Sequence, residues 1–213
     1  MAPKFKVTKD EIVLAAVDII RDKDVSAITA QEIAKRMNTS TRPMFNYFAT
    51  LEELREAAVE KARELYNKYA EEGFSQVPAF KGFGIAYIRF AMEEPALFRV
   101  LFLNKSNRST IKEFLNKEGH LDRIIQTVMD IFQLEKDDAE WLYENLWTYA
   151  HGLAAFCAIE TARFTEAEIA EKLGTICRGL LISLNYPKDE RTGFVPGKDK
   201  VIPGSMNEYR LKK

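Results

Sequence analysis

The sequence predicts an all-α fold, and three observations carry that prediction. A Thr followed three residues later by Glu, a pair able to satisfy free N–H groups at a helix start, recurs at Thr8/Glu11, Thr29/Glu32, Thr50/Glu53, Thr110/Glu113 and Thr165/Glu168. Each pair opens a run of apolar residues at helical spacing. No segment shows the period-two alternation of a half-buried strand. With 213 residues, 46% of them apolar and 30% charged, the chain is long enough to bury a real core without staples or metals.

After Thr8, the stripe Ile12, Val13, Ala16, Val17 and Ile20 forms a first helix that breaks near Asp22–Asp24. After Thr29, Ile33, Ala34 and Met37 support about two turns. A third short helix spans Ser40 to Phe48, with Ser40 as its expected cap and Pro43 in the first turn, where a missing N–H costs nothing. After Thr50, Leu51, Leu54, Ala58, Leu65 and Tyr69 carry a long helix to Gly73, and Gly73 to Pro78 reads as a linker. The next helix starts at Phe80 and must end or kink at Pro95. A short helix over Leu97–Leu103 follows. Thr110 then opens a helix reaching Phe132, with a break at Gly119. Two long helices complete the set, Asp137–Ile159 and Thr165–Tyr186, the last with an apolar face from Ile169 through Leu173, Ile176, Cys177 and Leu180 to Leu184. From residue 187 the texture changes: three Pro and three Gly in 27 residues predict an irregular tail.

The inventory excludes several classes of function. The net charge of −1 gives no global field towards nucleic acid or membrane, so any basic surface is local. Two cysteines, Cys157 and Cys177, exclude a disulfide framework and a zinc ribbon and fit a reducing compartment. The N-terminus lacks the apolar stretch of a signal peptide, and the longest unbroken apolar run, Leu153 to Ile159, is too short to span a bilayer. The expected setting is cytoplasmic, with no membrane partner. Only two histidines occur, His151 on an apolar helix and His120 expected at the surface. No Cys–His–Asp grouping, glycine-rich phosphate loop or HExxH is present. The sequence therefore predicts neither enzyme, metal site nor cofactor.

The stretch from Thr29 to Phe48 carries the chemistry. Two short helices meet at Asn38, a residue tolerant of the positive φ that a tight turn needs, with the small Ala34 at the crossing and Met44 and Phe48 facing inward. That pattern suits a helix-turn-helix, and equally a plain αα-corner in a bundle. The exposed face favours the former: Ser and Thr hydroxyls at helix starts suit phosphate, Arg42 suits guanine and Asn46 suits adenine. Residues 1–50 hold eight Lys/Arg against six Asp/Glu, so the basic surplus lies on this side.

At this point Thr8 to about Tyr66 resembles the DNA-binding domain of the tetracycline-repressor (TetR) family, through Thr29-Ala-Gln-Glu-Ile-Ala34, Ser40-Thr-Arg-Pro-Met-Phe-Asn-Tyr-Phe48 and Thr50-Leu-Glu-Glu-Leu54. Carried over position by position, the resemblance implies that Thr29, Gln31, Ser40, Thr41 and Tyr47 contact phosphates or groove edges, and that Arg42, Pro43 and Asn46 face bases. Thr41, Asn46 and Tyr47 replace a usual Lys, Tyr and His, and Leu51 stands where Lys is common. Further on, Trp147-x-x-x-His151-Gly152 and Tyr87-x-Arg-Phe-Ala-x-x-x-Pro95-x-Leu-Phe98 resemble the WHG-type branch of that family. The resemblance implies a homodimer whose last two long helices pair between subunits.

Aromatic residues crowd the second half, with small residues (Gly84, Ala86, Ala91, Ala150, Gly152, Ala154, Ala155) between them. Aromatics at this spacing fill cores, but the small residues leave room for a cavity between helices. Tyr87, Arg89, Trp147 and His151 are the candidates for its lining. The expected organisation is a helix-turn-helix DNA-binding domain over residues 1–50, a connector helix over about 50–73, a helical ligand-binding and dimerisation domain over 74–186, and the tail. The expected activity is operator binding by a dimeric transcriptional regulator released by a small apolar or amphipathic effector. The alternative, motivated by the missing lysines at 41 and 51, is a helical ligand-binding dimer without sequence-specific DNA binding.

Overall fold

Thr8 caps the first helix as its sequence requires. Its hydroxyl accepts from the Glu11 N–H and the Glu11 carboxylate accepts from the Thr8 N–H, which starts α1 (Lys9–Asp22). The computed structural model describes residues 7–103, 111, 113, 115 and 119–185. After a 3-10 turn at Val25–Ala27 come α2 (Ala30–Arg36), α3 (Arg42–Phe45), α4 (Leu51–Phe74), α5 (Ala79–Glu93), α6 (Pro95–Phe102), α7 (Leu121–Phe132), α8 (Lys136–Ala158) and α9 (Glu166–Ser183). No strand occurs among the described residues. Thr29, Thr50 and Thr165 cap their helices in the same way. The pairing is reciprocal at Thr8 and Thr165 but not at Thr29, where the Glu32 carboxylate turns to Lys23 at 3.0 Å. Thr110 and the tail from residue 187 lie outside the described residues.

α1, α2 and α3 form a three-helix unit at one end of α4. Ile12, Ala16, Ile19 and Ile20 of α1 are buried in a core shared with Ile33, Met44, Phe48 and Leu54. α4 then runs for 24 residues, about 36 Å at 1.5 Å per residue. Its buried residues recur every fourth position, at Leu54, Ala58, Ala62, Tyr66 and Ala70. Three of the five are alanine, so neighbouring helices approach its axis closely.

The second half is arranged around α5, which packs against α4, α6, α7, α8 and α9. Its closest approach is to the end of α4. A Cβ built on Gly73 would stand 2.7 Å from the Gly82 carbonyl oxygen, and one on Gly82 would stand 2.2 Å from that of Gly73. Pro95, unable to donate, ends α5 and begins α6 as expected. Beside this break, Arg21 of α1 donates two hydrogen bonds to Glu94, at 2.8 and 2.7 Å, and so ties the three-helix unit to the α5–α6 corner. Arg123 ties α7 to α4 through Glu71 at 2.7 Å and lies 4.0 Å from the centre of the Phe74 ring.

Two local expectations are corrected. Ser40 does not cap α3: Thr41 precedes the helix, is already in the right-handed helical region and makes no side-chain cap hydrogen bond. The regular helix is consequently only Arg42–Phe45. The N–H groups of Asn46 and Tyr47 reach back three residues, to Pro43 and Met44, and tighten the remainder into a turn. His120, expected at the surface, is half-buried against the rings of Tyr66, Phe74 and Phe83 and hydrogen-bonds the Asn67 Oδ1 at 3.0 Å. Gly119, with φ +80°, turns the chain inward just before it.

The contact between Gly73 and Gly82 has a measurable consequence. In an open helix position, Gly→Ala stabilises by up to about 1 kcal/mol. Gly82→Ala instead drives a methyl into backbone, and overpacking of this kind costs about 1–3 kcal/mol. Gly152, whose Cβ would meet nothing within 4 Å, is the control. Denaturant titration is expected to show Gly82→Ala less stable and Gly152→Ala at least as stable as the parent.

Candidate functional site

The turn between α2 and α3 adopts the geometry its sequence asks for. Asn38 takes φ +50°, and the Thr39 N–H closes the helix end on the Ala34 carbonyl at 2.9 Å. Ala34, Met44 and Phe48 are buried beneath. The outward set is Thr29 and Gln31 at the start of α2, with Ser40, Arg42, Asn46 and Tyr47 on and around α3. All six are exposed, while Thr41 and Pro43 are half-buried. Phe45 stands 54% exposed, an apolar group at the surface beside them. Nearby cations divide by partner. Lys23 and Arg36 are paired with Glu32 and Asp22, whereas Arg42 makes no ion pair with any described residue. Tyr47 has a task the sequence did not suggest: its hydroxyl donates to the Val7 carbonyl at 3.0 Å and pins the chain entering α1. Lys9 lies over the Phe48 ring at 5.2 Å.

The second feature is an apolar cavity of about 180 Å³ bounded by α5, α7, α8 and α9. Two helix faces make most of its wall. On α5 these are Phe80, Phe83, Gly84 and Tyr87; on α8 they are Tyr143, Leu146, Trp147 and Ala150. Both sets follow the i, i+3, i+4, i+7 spacing that puts residues on one face. Ile131 and Phe132 close it from α7, and Leu173, Gly174 and Cys177 from α9.

Of the four expected lining residues, the structure brings three together. Tyr87 and Trp147 line the cavity. His151 stands behind them, its Nδ1 2.8 Å from the Tyr87 hydroxyl and its ring stacked on Trp147 at 4.7 Å. Arg89 is not there. Two residues beyond Tyr87, it points to the opposite side of α5, where it pairs with Glu72 at 2.5 Å and lies 5.1 Å from the centre of the Tyr69 ring. Among the small residues, Gly84 and Ala150 line the space and Ala154 does not. Leu173 and Cys177 lie on the apolar face of the last helix, and its periodicity does not separate a part facing this cavity from a part open to pairing between subunits. The repeated spacing on α5 and α8 could have found Phe80 and Tyr143.

Burial sets the protonation states here. Desolvation pushes His151 and His120 below the usual histidine value, so both are neutral at pH 7, and raises the thiols of Cys157 and Cys177. Among the described residues no group of three or more His, Cys, Asp or Glu side chains is placed to hold a metal ion. No described helix is long and apolar enough to cross a membrane.

A helix-turn-helix unit mounted on a long helix, with a cavity-bearing helical bundle beyond it, defines the class of all-helical transcriptional regulators. Residues 80–172 match the model of the tetracyclin repressor-like C-terminal domain. The chain is 26% identical over 194 residues to an uncharacterized HTH-type transcriptional regulator of Bacillus subtilis strain 168, covering 86% of this chain and 97% of that protein. Two solved structures share the fold. A TetR-like transcriptional regulator from Rhodococcus sp. RHA1 superposes with a TM-score of 0.60 at 18% identity, over 84% of this chain and 98% of the other. A fatty acid degradation regulator from Bacillus halodurans does so with 0.60 at 14% identity, over 86% and 100%. Residues 80–172 are thus similar to the C-terminal domain of tetracyclin repressor-like proteins, and the chain shares the all-helical fold of TetR-like transcriptional regulators.

The two histidines make stability depend on pH with a definite sign. Burial holds their folded pKa values below the ordinary histidine value of 6.5, so the neutral forms are favoured by folding. The stability this contributes is full above 6.5 and is lost as pH falls towards the folded values, because the unfolded chain takes up protons that the folded chain resists. Thermal melts are expected to show a fall in Tm between about pH 7 and pH 5.5, and a smaller fall in the double variant His120→Gln/His151→Gln.

Proposed function

We propose that this regulator is a repressor that binds a palindromic operator as a homodimer and leaves it when a small apolar or amphipathic molecule occupies the α5–α9 cavity. Residues 1–50 supply the DNA-reading unit, with Thr29, Gln31, Ser40, Thr41 and Tyr47 towards backbone or groove edges and Arg42, Pro43 and Asn46 towards bases. Residues 74–186 supply the effector site and the dimer interface. The observation that carries this reading is the path of α4. Its first turns pack in the three-helix unit, and its far end meets α5, one wall of the cavity, at the Gly73–Gly82 contact.

Groove readers on two subunits need a fixed spacing of about one DNA turn or a multiple of it, so a shift of a few Å at the far end of α4 spoils simultaneous docking. An effector drives that shift only by favouring the DNA-incompetent arrangement. A tenfold loss of operator affinity needs about 1.4 kcal/mol of such preference, and DNA then weakens the effector by the same factor. The half-buried apolar residues of α9, Ile176, Leu180 and Leu181, with the exposed Phe156 of α8 and Ile159 just after it, suit burial against a second copy. The alternative, a ligand-binding dimer without sequence-specific DNA binding, draws on the short α3 and on Leu51 and Thr41 in place of lysines.

Selection of bound sequences from random duplex DNA separates the two: enrichment of an inverted repeat supports the operator reading, and no enrichment overturns it. On the selected operator, Asn46→Ala is expected to lose about 1–3 kcal/mol of discrimination at one position per half-site. Uniform weakening on all sequences would show that Asn46 touches only backbone. Leu180→Glu is expected to give monomers or insoluble protein in sedimentation, together with lost operator binding. A monomeric parent protein would remove the dimer from the proposal.

A further inference from the structure

The walls of the cavity say which kind of molecule fits. Its lining contains one charged residue, Lys81, and no carboxylate. Lys81 is exposed on the first turn of α5, where it borders both this cavity and an adjoining polar groove that also holds Glu72 and Glu166; a lysine in such a place keeps its ammonium in water at the rim. It makes no ion pair with any described residue. The ammonium is therefore available to a ligand. Pro78, which borders the same cavity, precedes α5 and provides no side-chain cap, so the local backbone field at that end of the cavity also favours negative charge. The interior beyond it is aromatic and aliphatic. A fixed charge there would lose its hydration without a counter-charge.

Resting on the effector reading above, we propose that the ligand class is a monoanionic amphiphile: a carboxylate with a short hydrocarbon or single-ring body. The body lies between Phe83, Trp147 and Leu173, and the carboxylate sits at the rim on Lys81. Size limits the body. A cavity of about 150 Å³ accommodates a benzene-sized molecule, so the volume of about 180 Å³ here takes roughly six to eight carbons. A long acyl chain does not fit within it, and a cationic amphiphile of the same length meets Lys81 as a like charge.

Titration calorimetry of the full chain with octanoate, 1-octanol and octylammonium tests the assignment at low ionic strength. Octanoate is expected to bind at least tenfold more tightly than 1-octanol, and octylammonium most weakly. Lys81→Met should abolish the preference for octanoate while leaving 1-octanol affinity unchanged, and Lys81→Arg should restore it. Lys81 is exposed, so these variants are expected to keep the parent Tm, which the same samples report. Equal affinity for acid and alcohol in the parent, or a preference that survives Lys81→Met, overturns the carboxylate assignment and leaves the cavity as an effector site. No heat from either acid or alcohol, with no shift in Tm, overturns the cavity as a ligand site and the effector reading with it. Gly174→Leu, which places a side chain where a Cβ meets nothing within 4 Å, is expected to weaken both ligands equally. If it weakens neither, the heats arise elsewhere on the protein and the placement falls.

Discussion

The close approach of α4 and α5 is the constraint on which the rest of the structure depends. Gly73 and Gly82 let two backbones meet where any side chain would collide. That contact fixes α5 against the long connector, and α5 in turn touches every later helix described. The alanine series Ala58, Ala62 and Ala70 keeps the α4 surface low along its length, so the large groups of the second half seat around Tyr66 instead of pushing the helices apart. Stability and positioning thus come from the same small residues.

Polar contacts then fix orientation where packing alone would allow sliding. The two hydrogen bonds from Arg21 to Glu94 join the three-helix unit to the α5–α6 corner, and Arg123 on Glu71 joins α7 to α4. Each pair is partly solvated, and exposed ion pairs contribute only about 0–1 kcal/mol. Their effect lies in geometry. The Tyr87–His151 hydrogen bond works similarly inside the bundle. It holds α5 to α8 behind the cavity, and Trp147 stacks on the same imidazole, so the ring is held between a hydrogen bond and an aromatic face.

The two surfaces of functional interest differ in how they are built. The outward set of the helix-turn-helix rests on short segments over a few buried anchors, Ala34, Met44 and Phe48. The cavity is made from four helices distant in sequence, each giving two to five residues. The first kind of site is a local property of sequence. The second exists only once the helices have packed.

That difference sets what the sequence alone determined. Helix starts were legible because capping is local chemistry: a Thr hydroxyl and the N–H three residues on meet in a single turn, as at Thr8, Thr29, Thr50 and Thr165. The positive φ at Asn38 and the break at Pro95 were legible for the same reason. Tyr87 and Trp147 were legible as cavity candidates because small residues interrupt an aromatic run. Packing decided the remainder. Arg89 left the cavity because two residues on a helix face opposite ways, and α4 supplied Glu72 and Tyr69 on its side. His120 turned inward because Asn67 offered a hydrogen bond and Tyr66, Phe74 and Phe83 a ring pocket, all from helices elsewhere in the chain. Leu173 and Cys177 joined the cavity because α9 divides its apolar face between α5, α8 and the surface. Periodicity marks which face of a helix is apolar; which neighbour covers it is settled only when the helices meet.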